Sequence, residues 1–186
     1  MSWMKDLQDS MKIRAITLSS GGINSAVTQA IANTECHEVV SWTFRCKNDR
    51  ATSSAKMLSD YFDNEHHVID IGMKPSYGMM LLGALQKRGF HRVYIGLSTV
   101  DPVSPEKTEF FIRKVQEVYD FLSGGNVVIV TPVSHMTKRE VVLEGERLQV
   151  PWELTYSCEE DNGPCKECKS CKEREGTFIS AGVKDR

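Results

Sequence analysis

The sequence predicts an α/β fold in which a mostly parallel, doubly wound sheet is covered by helices on both faces. Short apolar and β-branched runs alternate with segments of helical periodicity along most of the chain. Since consecutive parallel strands need a crossover, usually a helix, this alternation indicates repeated βαβ units. The predicted strands are Ile13–Leu18, Val39–Phe44, His67–Ile71, Val93–Ile95 and Val127–Val130.

Five helices are predicted between and after these strands. The last begins at a capping box, in which Thr137 and Glu140 satisfy each other's backbone N–H groups. After Trp152, glycine, cysteine, lysine and glutamate replace the apolar periodicity. We therefore expect an N-terminal extension over 1–10, an α/β domain over 11–150 and a metal-held tail over 151–186. The predicted helices are Ala26–Asn33, Ser53–Phe62, Tyr77–Lys87, Lys107–Leu122 and Lys138–Leu148.

Composition excludes several classes of function. The 186 residues are 40% hydrophobic, and 23 Lys and Arg balance 25 Asp and Glu, so no positive field attracts nucleic acid. No apolar run approaches the roughly 20 residues that cross a bilayer. Residues 1–11 carry charges and lack the apolar core of a secretory signal. We expect a soluble, cytoplasmic protein that binds a small molecule, with no membrane or direct nucleic-acid partner.

A glycine-rich segment joins the first predicted strand to the first predicted helix. In a parallel sheet, this crevice beyond the carboxyl end of a strand is where ligands bind. Glycines there admit an anion to bare backbone N–H groups, and the helix N-terminus adds partial positive charge. The alternative is a plain strand-to-helix turn. The candidate ligands of an anion are Ser19, Ser20, Gly21, Gly22, Asn24 and Ser25.

The order S-G-G-x-[D/N]-S resembles the PP-loop of ATP-pyrophosphatases, which implies an adenine nucleotide alpha hydrolase-like fold that holds the pyrophosphate of ATP. Asn24 stands where that pattern usually has Asp. Its side-chain oxygen is expected to cap the helix, because Asn caps about as well as Asp. It offers no carboxylate to Mg²⁺ and would reach the ion only through water.

Four cysteines lie within one short C-terminal segment. Four thiolates at this spacing suit a tetrahedral Zn²⁺, and full occupation by cysteine predicts a structural rather than catalytic ion. The alternatives are an iron–sulfur cluster, a redox C-x-x-C pair, unligated thiols, or a zinc knuckle that contacts nucleic acid. Cys36 and Cys46 stand apart and are interpreted as small buried residues. The predicted ligands are Cys158, Cys165, Cys168 and Cys171.

Several motifs together resemble the 7-cyano-7-deazaguanine synthase family. They are the glycine loop, the stretch from Pro132 to Val141, the run Val150-Pro-Trp-Glu-Leu-Thr-Tyr-Ser-Cys158 and the cysteine spacing. The likeness is close over 127–181, looser over 12–72 and poor over 73–126. It implies a homodimer with a structural zinc. It also implies that ATP and Mg²⁺ adenylate 7-carboxy-7-deazaguanine, that ammonia gives the amide, and that a second adenylation gives the nitrile.

The resemblance also implies site residues. Lys138 would neutralise phosphate charge, with Asn24 and Ser25 beside it as catalytic residues. Phe44 and Gly96 would contact the nucleotide, and Asp101 and Pro105 the deazapurine. Without the resemblance, Lys138 is interpreted as a solvated lysine in the first turn of its helix. Arg45 or Lys47 could contact the nucleotide, and a position in a solvated loop is an equal alternative. His66, His67, His91 and His135 are interpreted as surface or strand-end residues.

Three functions remain open on the sequence. The first is the deazapurine nitrile or amide synthase. The second is another PP-loop adenylating enzyme, for example a sulfur transferase, which needs a free reactive thiol. The third is a nucleotide-binding or zinc-stapled module that lost its chemistry with the Asp to Asn24 change.

Overall fold

Five parallel strands form one sheet in the order β3-β2-β1-β4-β5. The computed structural model describes residues 12–45, 49–70, 76–85, 89–98 and 105–186. All strand pairs in this part of the chain are parallel, which confirms the predicted sheet. The strands are β1 (Arg14–Leu18), β2 (Glu38–Arg45), β3 (Glu65–Asp70), β4 (Arg92–Ile95) and β5 (Val128–Val130).

The order of the strands reverses beside β1. In register, Ala15 of β1 aligns with Val39 of β2 on one side and with Arg92 of β4 on the other. Because β2 and β4 leave β1 in opposite directions, their connections separate and leave a crevice at the carboxyl end of β1. The predicted glycine loop lies at this crevice, because it follows Leu18 directly.

The observed helices match the predicted ones within a few residues, with one addition. Sequence periodicity missed a helix in the tail, whose charged residues and glycine obscure its apolar face. None of the helices within the described ranges combines the length and apolar character needed to span a membrane. The helices are α1 (Ile23–Glu35), α2 (Asp49–Tyr61), α3 (Tyr77–Ala84), α4 (Glu109–Ser123), α5 (Lys138–Arg147) and α6 (Lys169–Ala181), with short 3-10 helices at Pro105–Lys107 and Trp152–Leu154.

Helices cover both faces of the sheet, as a doubly wound fold requires. Alternate residues of β1 point to opposite sides, since side chains in a strand alternate. Ala15 packs in a core with residues of α1, α2, α5 and α6. Ile16 and Leu18 pack in a second core with α3 and α4. The phosphate-loop candidate therefore sits at the end of a strand that is buried on both sides.

The tail is not an appendage held by metal alone, and this expectation is corrected. Trp152 and Phe178 are 1% and 2% exposed, and both belong to the core that α1 and α5 share. Their rings meet edge to face with centroids 5.2 Å apart. A side chain at Gly145 of α5 would collide with the Trp152 indole, so this glycine makes room for it. The boundary at 150 and 151 stays a prediction, and the apolar core crosses it.

Candidate functional site

The backbone of the glycine loop admits no side chain at its first glycine. Gly21 has φ +76°, and a Cβ there would lie 2.4 Å from the carbonyl oxygen of Ala51. The first turns of α2 therefore pack directly against the loop at Gly21. Gly22 has an ordinary φ of −87°, and a Cβ there would meet its neighbours only at ordinary contact distance. Close packing on α2 fixes the path of the loop.

The first turn of α1 offers backbone donors. Its N-cap is Gly22, no described side chain caps it, and its first turn carries no acidic residue. By contrast, α3, α4, α5 and α6 each begin with a side chain that accepts a backbone N–H. The expectation that Asn24 caps this helix is wrong, because Asn24 is the second helical residue rather than the N-cap. An uncapped helix N-terminus is a suitable site for an anion.

Two predicted serines define the inside of the loop. The Ser25 hydroxyl donates to the Gly22 carbonyl at 2.9 Å and accepts from the Ser20 amide at 3.3 Å. The hydroxyls of Ser20 and Ser25 lie 3.3 Å apart. The Ser19 hydroxyl is buried without a hydrogen-bond partner in the described chain. The structure thus brings Ser19, Ser20, Gly21, Gly22 and Ser25 into one turn, where their role in binding stays a prediction.

The buried Thr43 and the half-buried His66 together support the start of the loop. The Thr43 hydroxyl lies 2.9 Å from the Ser19 carbonyl and 2.9 Å from His66 Nε2. Since Thr43 has one proton and donates it to the carbonyl, His66 donates to Thr43 through Nε2–H. Burial lowers the pKa of His66, which favours the neutral ring. Of the two interpretations of His66, surface or strand-end residue, the structure supports the second, because His66 is the second residue of β3, half-buried and bonded to β2.

Gly96 and Phe44, the other predicted nucleotide contacts, lie in different surroundings. A Cβ at Gly96 would come within 2.8 Å of the Asn24 carbonyl group, so the loop after β4 packs on the first turn of α1. Phe44 packs against the core below α3, where its ring would lie 3.4 Å from a Cβ at Gly83. Gly96 therefore borders the glycine loop directly.

The predicted cationic residues are engaged in ion pairs. Lys138 opens α5, and its Nζ lies 2.5 Å from Glu173 Oε2 of α6, with about half of the side chain exposed. Arg45 pairs with Asp70 across β2 and β3 and lies 3.7 Å from Asp49. Lys47 lies outside the described residues. A role for Lys138 in catalysis stays a prediction, and it requires the ammonium to leave Glu173.

The predicted substrate contacts are only partly visible. Asp101 lies outside the described residues, and Pro105 is an exposed residue that opens a short 3-10 helix. Its neighbour Glu106, which sequence reasoning missed, accepts from the backbone N–H groups of Tyr77 and Gly78 at 3.3 and 3.4 Å. A carboxylate at a helix N-terminus is favourable. Glu106 therefore fixes this segment to the start of α3.

The four tail cysteines form one cluster, as their spacing predicts. Their sulfur atoms all lie within 4.8 Å of one another. The distances from Cys158 to Cys165 and Cys168 are 3.5 and 3.9 Å, and that from Cys165 to Cys171 is 4.0 Å. Sulfurs bound at about 2.3 Å to a tetrahedral zinc ion lie about 3.8 Å apart. The geometry of the cluster therefore fits a four-thiolate metal site.

Backbone amides donate to three of these sulfurs, while burial raises the pKa of the fourth, Cys171, to about 12. Cys158 Sγ accepts N–H groups from Cys165 and Glu160, both at 3.4 Å. These bonds lower the pKa of Cys158 to about 6. The amides of Cys168 and Cys171 similarly donate to Cys165 and Cys168. A metal site needs thiolates, and this arrangement supplies donors to them before an ion arrives.

Tyr156 and Arg174 connect the cysteine cluster to the glycine loop, and sequence reasoning missed both. The Tyr156 amide donates to the Gly21 carbonyl at 2.8 Å. Arg174 of α6 donates to the Trp152 carbonyl at 3.1 Å and to the Thr155 hydroxyl at 2.8 Å. The one available signal was the position of Arg174 one helical turn after the last cysteine. The two predicted sites are therefore neighbours in space.

Solved structures of low sequence identity share the fold. A 4-thiouridine synthetase solved with RNA and bound ATP matches with a TM-score of 0.57 and 15% identity, covering 91% of this chain and 50% of that one. A predicted subunit of a tRNA methyltransferase from Methanocaldococcus jannaschii matches with a TM-score of 0.55 and 15% identity, covering 72% and 76%. At this identity, the likeness supports the architecture alone.

Curated relatives match along nearly their whole length. Proteins named 7-cyano-7-deazaguanine synthase are 27% identical in Methanococcus maripaludis over 226 positions and 28% in Methanothermobacter thermautotrophicus over 221 positions, each covering 93% of this chain and 97% of the relative. Both alignments are longer than the chain of 186 residues, so segments of these relatives have no counterpart here. A family model described as queuosine biosynthesis protein QueC matches residues 77–182, more than half of the chain. The chain therefore belongs to the QueC family.

Proposed function

We propose that this protein converts 7-carboxy-7-deazaguanine to 7-cyano-7-deazaguanine with ATP and ammonia, within queuosine or a related deazaguanine modification pathway. The observation that carries this proposal is the uncapped, glycine-built N-terminus of α1 at the reversal of the strand order, in a member of the QueC family. An anion there meets the first-turn amides, and the Ser20 hydroxyl can turn its proton from Ser25 to the anion.

The chemistry suits a site that binds and orients more than it reacts. A carboxylate is a poor electrophile, and transfer of AMP from ATP gives it a leaving group while pyrophosphate departs. Ammonia then displaces AMP and loses a proton to give the amide. A second ATP adenylates the amide oxygen, and loss of AMP and a proton gives the nitrile. The protein contributes mainly positioning and neutralisation of phosphate charge.

In this proposal, the loop residues and Ser25 hold the pyrophosphate, and Asn24 orients Mg²⁺ through water. Lys138 leaves Glu173 to face the phosphates when ATP binds, Phe44 and Gly96 border the nucleotide, and Asp101 and Pro105 contact the deazapurine. The cysteine cluster holds one structural Zn²⁺, and two copies form a homodimer.

Sulfur transfer is the less favoured alternative. It needs a free reactive thiol near the glycine loop, and Cys158, Cys165, Cys168 and Cys171 lie together in the metal cluster. Cys36 precedes β2 at the amino end of the sheet, opposite the loop, and lies 3.5 Å from the Tyr94 hydroxyl. Among the described residues, neither set offers a persulfide to a nucleotide at the carboxyl end of β1; Cys46, which follows β2, lies outside the described residues.

The test is mass spectrometry of the purified, zinc-loaded protein incubated with ATP, Mg²⁺, ammonium and 7-carboxy-7-deazaguanine. We expect AMP and pyrophosphate to appear together with the nitrile. AMP with the amide alone would limit the reaction to its first half. No conversion by a folded protein that binds ATP would indicate another acid substrate or a binding role.

The variant Asn24→Asp separates an enzyme from an inactive relative. We expect the wild-type chain to turn over already, and N24D to lower the Mg²⁺ concentration needed for half-maximal rate, because a carboxylate attracts the ion more strongly than an amide does. Asn33→Asp, at the other end of α1, is the matched control for added charge. Turnover that appears only in N24D would favour the non-enzymatic alternative.

A further inference from the structure

A short segment of the tail lies across the back of the glycine loop. This segment, residues 155–158, is called the strap below. The Tyr156 amide donates to the Gly21 carbonyl at 2.8 Å. The Tyr156 carbonyl would lie 3.8 Å from a Cβ at Gly22. The strap therefore contacts both glycines of the loop.

Anchoring the Gly21 carbonyl also orients the donor that follows it. The Gly21 carbonyl and the Gly22 N–H belong to one planar peptide group and point in opposite directions. When Tyr156 fixes the carbonyl, the N–H of Gly22 is directed away from the strap. Since Gly22 is the N-cap of α1, this N–H stands beside the first-turn amides that would meet an anion. The strap thus determines the direction of one loop donor.

Arg174 holds the strap from the side of α6. Its guanidinium donates to the carbonyl of Trp152, which precedes the strap, at 3.1 Å and to the hydroxyl of Thr155, the first strap residue, at 2.8 Å. Ser157 Oγ accepts a longer bond at 3.3 Å. Only 14% of the side chain is exposed, and Asp185 balances its charge through two bonds of 2.6 and 2.7 Å. One planar guanidinium therefore joins the strap to the C-terminal end of the chain.

The four-cysteine cluster also restrains the strap and α6. Cys158 is the last residue of the strap, and Cys171 precedes Arg174 by three residues on α6. A metal bound by both cysteines would tie the strap to α6 at one end, while Arg174 ties it at the other. On the far side, the Arg50 guanidinium lies 6.0 Å from the centre of the Tyr156 ring. The strap thus lies between α2, α6 and the cysteines. Its backbone bonds to the glycine loop through the Tyr156 amide and the Gly21 carbonyl.

We infer that Arg174 is a positioning residue for nucleotide binding, which holds the strap against the glycine loop and thereby couples the four-cysteine metal site to the ATP site. The inference rests on the proposed function, because it assumes that the loop binds the phosphates of ATP. Lysine cannot replace this arginine, since a single ammonium does not span the Trp152 carbonyl, the Thr155 hydroxyl and the Asp185 carboxylate in one plane.

The test compares Arg174→Lys with Arg147→Lys in zinc-loaded protein. Arg147 is a matched control because it also makes a forked bond to a carboxylate, that of Glu144, on the solvent side of α5. Zinc content, thermal unfolding and the Kd for ATP by calorimetry are measured for each. We expect R174K to keep one zinc and to bind ATP about fivefold more weakly or worse, while R147K matches the wild type.

A second readout distinguishes positioning from a loss of stability. Binding energies that are coupled are reciprocal, so ATP should raise the affinity for zinc in equilibrium competition with a chelator. We expect this gain in the wild type and in R147K and its absence in R174K. If R174K fails to fold, Asp185→Asn replaces it in the test, because this variant keeps the guanidinium and removes its charge partner. We expect D185N to reduce the gain in zinc affinity that ATP causes.

The outcomes separate the two proposals. A wild-type protein that is folded and zinc-loaded but does not bind ATP would overturn the proposed function. A wild type that binds ATP, with R174K and D185N that bind it equally well and show the same gain in zinc affinity, would overturn the role of Arg174 alone.

Discussion

The glycine loop and the cysteine cluster are adjacent, and their backbone N–H groups point in opposite directions, outward at the loop and inward in the cluster. At the loop, α1 begins on Gly22 without a side-chain cap, so backbone donors face outward. In the cluster, backbone amides turn inward to the sulfurs, as those of Glu160 and Cys165 do to Cys158. Unsatisfied donors cost stability unless a ligand meets them. The difference teaches that the loop leaves donors available to a ligand, whereas the cluster directs its donors to its own sulfur atoms.

The largest expected effect comes from removing a metal ligand. Cys171→Ser should abolish stoichiometric zinc binding and lower the free energy of unfolding by about 4 kcal/mol or more, as loss of a structural metal does. Zinc content and chemical denaturation measure both. Cys36→Ser is the control, because Cys36 lies outside the cluster and its serine analogue can still bond to Tyr94. Equal stability of the two variants would make the cluster incidental to the fold.

The next effect concerns the path of the loop. Gly21→Ala should lower the free energy of unfolding by about 2 to 4 kcal/mol, because the methyl group adds a backbone clash to the strain of a positive φ. ATP binding, measured by calorimetry, should be lost with it. Gly125→Ala is a matched control, since Gly125 has φ +77° and a Cβ there meets nothing within 4 Å. If both variants lose the same stability, the contact with α2 does not define the loop.

The smallest effect is a pH dependence at the support of the loop. Burial lowers the pKa of His66 below its usual value of 6.5, so the unfolded chain takes up a proton before the folded protein does. The stabilisation by neutral His66 is therefore complete above pH 6.5 and is lost as the pH falls from there towards the lowered pKa. Lys56, Asp60 and His67 are the charged neighbours that act on this ring.

The measurement is the free energy of unfolding between pH 7.5 and 5 for His66→Gln and for His67→Gln. We expect H66Q, whose amide can still donate to Thr43, to flatten the decline of stability below about pH 6.5. His67 is a fair control because it lies on the same strand and is exposed at 41%. A slope that H67Q removes and H66Q leaves would show that the loop support does not titrate.

Most of the candidate site could be predicted because its parts are local in sequence. The sequence directly indicates that the loop from Ser19 to Ser25 joins a strand to a helix through a glycine turn. The cysteine spacing alone predicts that the four sulfurs lie together. The capping box at Thr137 is also as predicted. The cap at Asn24 was mispredicted, because α1 starts one turn earlier than its apolar residues suggest and so places Gly22 at the N-cap.

By itself, the sequence determined the parallel α/β architecture, the glycine turn between β1 and α1 and the grouping of the four cysteines, because periodicity, glycine and cysteine spacing act over a few residues. Only the tertiary structure decided that the tail belongs to the core, through Trp152 in the space left by Gly145. It also decided that Tyr156 meets Gly21 and that Arg174 holds the strap. These contacts join residues far apart along the chain, and whether a polar group finds a partner is fixed only when the elements pack.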